Sequence, residues 1–183
     1  MSQRWLSFTV TSTGGRLTAL VTPCAASAAF DPHAIPESQY PELKRFQAIW
    51  DTGATGSVIT QAVVDACGLK PIGMTVMRGV HGAATTEKYL VNFGLPNGVG
   101  IPNVTVVRGD LGTDVQILIG MDIITRGDFA ITNVGGVTRF SFRFPSRNTI
   151  DFVTADGPQI AARKPVLGGT PPKQFGMGRK RGK

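Results

Sequence analysis

At 183 residues, 42% of them hydrophobic and 17% charged, with 23 Gly and 12 Pro, the chain can bury a core without covalent staples and favours turns over long helices. Its net charge of +7 sits wholly beyond residue 156, in Arg163, Lys164, Lys173, Arg179, Lys180, Arg181 and Lys183, so the remainder is neutral and the pI near 9.9 describes an appendage. No run of about 18 apolar residues would span a membrane, the start MSQRWLSFTV lacks the apolar core of a signal peptide, and the two cysteines, Cys24 and Cys67, are too few for a disulfide framework and lack metal-ligand spacing.

In chain order, RWLSFTVTSTGGRLTALV reads as two β-rich runs around Gly14-Gly15, a hairpin. From Pro23 to about Glu42 the composition shifts to small residues and then Pro32, Pro36 and Pro41, which predicts a long loop or insertion. Arg45–Trp50 is a short strand. Thr60 is a good N-cap for a helix over QAVVDAC that Gly68 stops. Met74–Arg78 and Thr85–Phe93 predict strands around the tip Gly79-Val80-His81-Gly82, and further strands follow at Val104–Val107 and Gln116–Ile119. Gly120 opens a second short helix that ends near Gly127. Phe129–Thr132, Val137–Phe144 and Thr149–Val153 complete the β pattern, and the Pro-, Gly- and basic-rich stretch beyond Gly157 reads as disordered.

Short strands, turn signals and two brief helices predict an all-β barrel or sandwich. The expected division is an N-terminal hairpin with its Pro-rich insertion over 1–44, a core over 45–155 and a disordered basic tail over 156–183. A reducing, cytoplasmic setting is expected from the two cysteines and the lack of a leader or span.

The stretch FQAIWDTGATGSVI places one carboxylate, Asp51, between apolar runs and a string of Thr, Gly and Ala. Gly53 permits close backbone approach, so the carboxylate can be held by N–H donors, while Ile49, Trp50, Val58 and Ile59 lower the local dielectric. A lone buried carboxylate is costly. Two that face each other share a proton, because like charges about 3 Å apart cannot both ionise, and the pair then holds a base and an acid at one pH.

DTGATGSVIT resembles the active-site loop of the aspartic proteases. QILIGMDII resembles the family's second segment, apolar residues and then Gly entering a helix behind that loop. The Gly79–Gly82 tip lies between them, where the family keeps its flap. Together, across roughly residues 45–145, these elements are similar to the single-domain, retropepsin-like group. The resemblance implies an acid-protease barrel with one or two short helices, active as a homodimer. Only one Asp-Thr-Gly occurs, and Thr22-Pro23-Cys24-Ala25 echoes it without an Asp, so the second carboxylate is expected from the partner subunit.

By the same resemblance Asp51 is catalytic, Thr52, Gly53 and Ala54 support the loop, and Gly79, Val80, His81 and Gly82 close over an extended polypeptide substrate. No metal or organic cofactor is implied. The chain departs from the family in a bulky Trp50 before the Asp, expected to narrow the site, in the 23–42 segment and in the basic tail.

Competing readings accompany these. Asp51 alone could be a turn residue, and the fold could serve as a non-catalytic dimerisation or binding module. In that case Arg179, Lys180, Arg181 and Lys183 would bind nucleic acid weakly through phosphates; Phe175 is the one aromatic there, so recognition by base stacking is unsupported. His81 reads equally as an exposed loop residue, and Cys67 as core. Arg108-Gly109-Asp110 and Arg126-Gly127-Asp128 read as turns, and Asp122 as a helix-start residue favoured by the macrodipole.

Overall fold

The computed structural model describes residues 6–12, 17–31, 33–79, 82–112 and 114–152. The chain divides into two units, Met1–Asn148 and Thr149–Lys183. Among the described residues the first carries ten strands: β1 (Leu6–Thr11), β2 (Val21–Ala28), β3 (Lys44–Trp50), β4 (Val58–Ile59), β5 (Gly73–Gly79), β6 (Gly82–Leu95), β7 (Val99–Arg108), β8 (Ile117–Ile119), β9 (Asp128–Val134) and β10 (Val137–Phe144). Two short helices interrupt them, α1 (Gln61–Ala66) and α2 (Met121–Ile124).

The larger sheet runs β2-β3-β8-β4-β7-β6 and closes on itself because β2 also pairs with β6, which makes a six-stranded barrel. β5 hangs outside the ring on β6. Closure removes the free edges that such a sheet would otherwise present. Alternation along the strands fills the barrel: Ala48 and Trp50 of β3, Ile59 of β4, Val104 and Val106 of β7, and Ile117 and Ile119 of β8 are buried, while Ile49, Leu118 and Val58 between them face out, half-buried. The second sheet, β1-β10-β9, covers one side of this core with Phe8, Phe140 and Phe142, all buried.

Several expectations change at the N-terminal end. The runs around Gly14-Gly15 do not pair with each other: β1 pairs with β10, and β2 with β3 and β6. Residues 23–28, expected in a long insertion, instead belong to a barrel strand, β2. Their small side chains hid the pattern, because Thr22, Cys24 and Ala26 face a crowded interior and are buried. Pro23 is tolerated since the ladder to β6 begins only at Ala25. Among the described residues the irregular stretch shrinks to 29–31 and 33–43, with a 3-10 turn at Glu37–Gln39.

Trp50 also departs from expectation. The residue is 6% exposed, its ring lies 5.0 Å from those of both Phe140 (edge-on) and Phe142 (tilted), and it donates Nε1–H to Thr22 Oγ1 at 3.0 Å. The core absorbs its bulk, and the site is not narrowed by it.

Helix α1 starts after Thr60 and gives way to Gly68 at φ +58, as expected. The Thr60 side chain makes no capping bond, however, and its buried Oγ1 has no partner among the described residues. The expected strand at Thr149–Val153 is absent over 149–152, where Ile150 and Phe152 are 56% and 69% exposed and no burial favours a ladder; Val153 lies outside the described residues, as does the basic tail.

Candidate active site

β3 delivers the chain to Asp51, whose N–H donates to Ile119 O at 3.0 Å across the parallel β3–β8 ladder. The loop then turns back on its own carboxylate: Gly53 N–H donates to Asp51 Oδ1 at 2.8 Å, and Ala54 N–H to Asp51 O at 3.3 Å. A Cβ at Gly53 would stand 3.1 Å from that Oδ1, tighter than ordinary contact, so glycine suits this approach. Asp51 and Ala54 are half-buried, and Thr52 is exposed.

Behind the loop stands α2. Its leading N–H groups, which have no partner within the helix, donate to the loop: Met121 N–H to Ala54 O at 2.8 Å and Asp122 N–H to Thr55 O at 3.2 Å. The approach requires Gly120, because a Cβ there would lie 2.7 Å from Gly56 C and O. Ser57, 1% exposed, links the two: its Oγ accepts Gly120 N–H at 3.1 Å and donates to Asp122 Oδ1 at 2.8 Å. Asp122 thus keeps its helix-start place and gains a partner that sequence reading missed. The signal lay in a hydroxyl just after the Gly-rich loop, but nothing in the chain tied it to a residue 65 positions on.

Next to the loop the barrel's outer face carries an apolar row in register across adjacent strands, Val21–Ile49–Leu118–Val58–Val107. The β5–β6 hairpin reaches toward it. Met77 of β5 and Val58 of β4 meet over Gly109, where a Cβ would stand 3.7 Å from Met77 Sδ and 2.7 Å from Val58 Cγ1. A cavity of about 500 Å³ opens at the hairpin strands, lined among others by Met77, Ala84, Thr86 and Gln116. The hairpin ladder closes at Gly79↔Gly82, with Gly82 at φ +116, while Val80 and His81 lie outside the described residues.

Residues 42–123 match the aspartyl protease family. The matched segment contains the Asp51 loop, the β5–β6 hairpin and the start of α2, the elements on which the resemblance to retropepsin-like aspartic proteases rests. No curated protein sequence matches the chain. Among solved structures it is similar to a retropepsin-like aspartic protease from Rickettsia conorii, at 11% identity and TM-score 0.47 over 79% of this chain and 98% of that one. It is also similar to the retroviral protease-like domain of Ddi1 from Leishmania major, at 18% identity and TM-score 0.40 over 63% and 82%. A third is the EIAV protease complexed with the inhibitor HBY-793, at 24% identity and TM-score 0.36 over 44% and 74%.

Elsewhere in the chain several titratable groups have structural surroundings. Burial pushes the Cys24 thiol up, away from a reactive thiolate, and Cys67 is half-buried, its thiol directed at Ala26 O at 3.4 Å. Asp128, expected in a turn, accepts bonds from Arg143, from Ser146 Oγ at 2.6 Å and from the N–H groups of Arg147 and Asn148. Burial alone would raise its carboxyl, but these donors outweigh it and hold the group well below the usual carboxylate range. Arg108 pairs with Glu87 at 3.0 Å. Among the described residues no cluster of three His, Cys, Asp or Glu could hold a metal, and no helix is long and apolar enough to cross a membrane.

Proposed function

We propose that the chain is a homodimeric aspartic endopeptidase in which the two Asp51 carboxylates form one dyad. The carrying observation is the rigid seating of Asp51, with Oδ1 fixed by Gly53 N–H at 2.8 Å and the loop backed by α2. One carboxylate of the dyad takes a proton from water as that water attacks the scissile carbonyl carbon. The other, protonated, gives its proton to the carbonyl oxygen. The resulting tetrahedral diol then collapses: the first carboxylate passes the proton taken from water to the nitrogen, the C–N bond breaks and the amine leaves, and one diol hydroxyl returns its proton to the second carboxylate, which resets the dyad. No bond to the enzyme forms.

Thr52, exposed on the loop, braces the partner's copy. Gly79, Val80, His81 and Gly82 close over the substrate backbone and exclude water. The row Ile49–Leu118–Val58, with Met77 above it, suits apolar side chains beside the scissile bond. The second copy is accommodated by β9, the outer strand of the three-stranded sheet, whose backbone edge is unpaired among the described strands and which exposes Ile131 (49%) and Val134 (79%).

The second reading is a dimeric scaffold without catalysis, with Arg179, Lys180, Arg181 and Lys183 contacting nucleic-acid phosphates. Its supporting observation is the charge confined beyond residue 156. A diverse peptide library incubated between about pH 3 and 8 with the confirmed dimer separates the two. The enzyme reading requires cuts by the wild type that fall by about a thousandfold or more in Asp51→Asn, and that survive deletion of 157–183. No cuts from a verified dimer would establish the scaffold.

A further inference from the structure

At the far end of β3 from Asp51 lies a second cavity, of about 790 Å³, within the range of small-molecule sites. Arg45 in its wall lies six positions before Asp51, about 20 Å of extended strand. Among the described residues none of the 51–57 loop lines it.

Its floor comes from the register of four strands. Arg45 of β3 pairs with Ala25 of β2, Ala25 with Gly94 of β6, and Gly94 with Gly100 of β7. Side chains at these positions would project from the outer face of the barrel. Two glycines and an alanine leave that face bare, and a Cβ at Gly100 would meet nothing within 4 Å.

Both walls are held in place. On one side the irregular 29–43 segment brings Phe30 and Leu43, and it is pinned by Ala29 N–H to Leu90 O at 3.2 Å and by Asn92 Nδ2 to Phe30 O at 3.2 Å. On the other side the Pro96–Gly98 turn is fixed by Asn97 Nδ2 donating to Ser7 O at 2.7 Å. The lining is mostly apolar. Arg45 is its one charged side chain among the described residues, and none of the described ion pairs involves it.

We propose that this trough binds a small amphiphilic carboxylate, with an apolar chain along the Gly94–Gly100 floor and an anionic end at the Arg45 guanidinium. A cation at the border of a preformed apolar groove is complementary to a ligand with one negative end. It disfavours a purely apolar ligand, which would leave the guanidinium partly desolvated, and an ammonium amphiphile, which it repels. The proposal is independent of peptide hydrolysis.

Calorimetric titration of the full chain with decanoate, below its micellar concentration and near neutral pH, tests it, with decanol and decylammonium alongside. One decanoate per chain is expected to bind, with decanol about tenfold weaker or more. Arg45→Gln, at an exposed position, is expected to bring decanoate down to the level of decanol. Gly100→Leu fills the floor and is expected to abolish binding of both; were that variant unfolded by circular dichroism, the Arg45→Gln comparison would still decide. Absence of decanoate binding overturns the proposal. So does equal binding of all three amphiphiles, or binding unaffected by Arg45→Gln.

Discussion

Ser57 and Asp122, 65 positions apart in the chain, are joined by a 2.8 Å hydrogen bond that fastens the Asp51 loop to the first turn of α2. The same Ser57 oxygen accepts Gly120 N–H at 3.1 Å, so one buried hydroxyl serves as both donor and acceptor. Replacing it leaves a buried N–H and a carboxylate oxygen short of a partner. Ser57→Ala is therefore expected to lower stability by about 1–3 kcal/mol, read as a fall in urea midpoint at constant slope. Ser57→Thr, which keeps the hydroxyl, should recover part of the loss. If Ser57→Ala melts like the wild type, the bond does not hold the loop.

Gly120 is a position where volume, not flexibility, decides. Its φ of −94 suits any residue, yet a Cβ would come within 2.7 Å of the Gly56 backbone. Backbone on both sides cannot yield as a flexible side chain would. Gly120→Ala is expected to cost about 2 kcal/mol or more and to displace the loop from the helix. Because the displaced loop carries Asp51, the proposed peptidase activity should fall further than the stability loss explains, measured on the fraction that remains folded.

Asp128 sets a pH limit. Its carboxyl is held below the ordinary value of 3.8, so its folded form favours the charged state. The stability this provides is complete above the ordinary carboxylate range. It is lost as pH falls below about 4 toward the folded-state value. The clamp on residues 143–148 thus persists under mildly acidic assay conditions. Asp128→Asn is expected to lose about 2 kcal/mol at neutral pH and to show a smaller further decline between about pH 4 and 2 than the wild type, followed by thermal melts across that range. Parallel curves for the two proteins would contradict the assignment.

The β9 edge predicts a separation of folding from assembly. Ile131 is 49% exposed, so Ile131→Lys should leave the subunit's melting point within about half a kcal/mol of equivalent stability. A charge on an edge strand opposes strand addition. For the proposed homodimer, sedimentation velocity is expected to show a shift toward monomer, with the proposed peptide hydrolysis regained at higher protein concentration. An unchanged dimer in this variant would move the interface elsewhere.

Local pattern was legible wherever a strand or helix carries its own signal. DTGATGSVIT, the glycine tip of the hairpin, the start of α1 at Thr60 and the entry to α2 at Gly120 each depend on residues near in sequence, where turn geometry and apolar alternation act. β2 was not legible. VTPCAASA has a proline and no large apolar side chain, and it is a strand because β3 and β6 stand on either side of it. β1 likewise has strand composition, but its partner is β10, some 130 residues away, and not the neighbouring run that a hairpin reading favours.

The sequence by itself determined the chemistry open to the site: one carboxylate on a glycine loop, apolar residues around it, and all the net charge beyond residue 156. Only the tertiary structure decided how that carboxylate is seated, where the bulk of Trp50 goes and where a bare trough is left on the barrel. The reason is that burial and close approach are properties of pairs. Gly120 against Gly56, Ser57 with Asp122, and Gly94 beside Gly100 acquire their roles from strands and turns that closure of the barrel brings together.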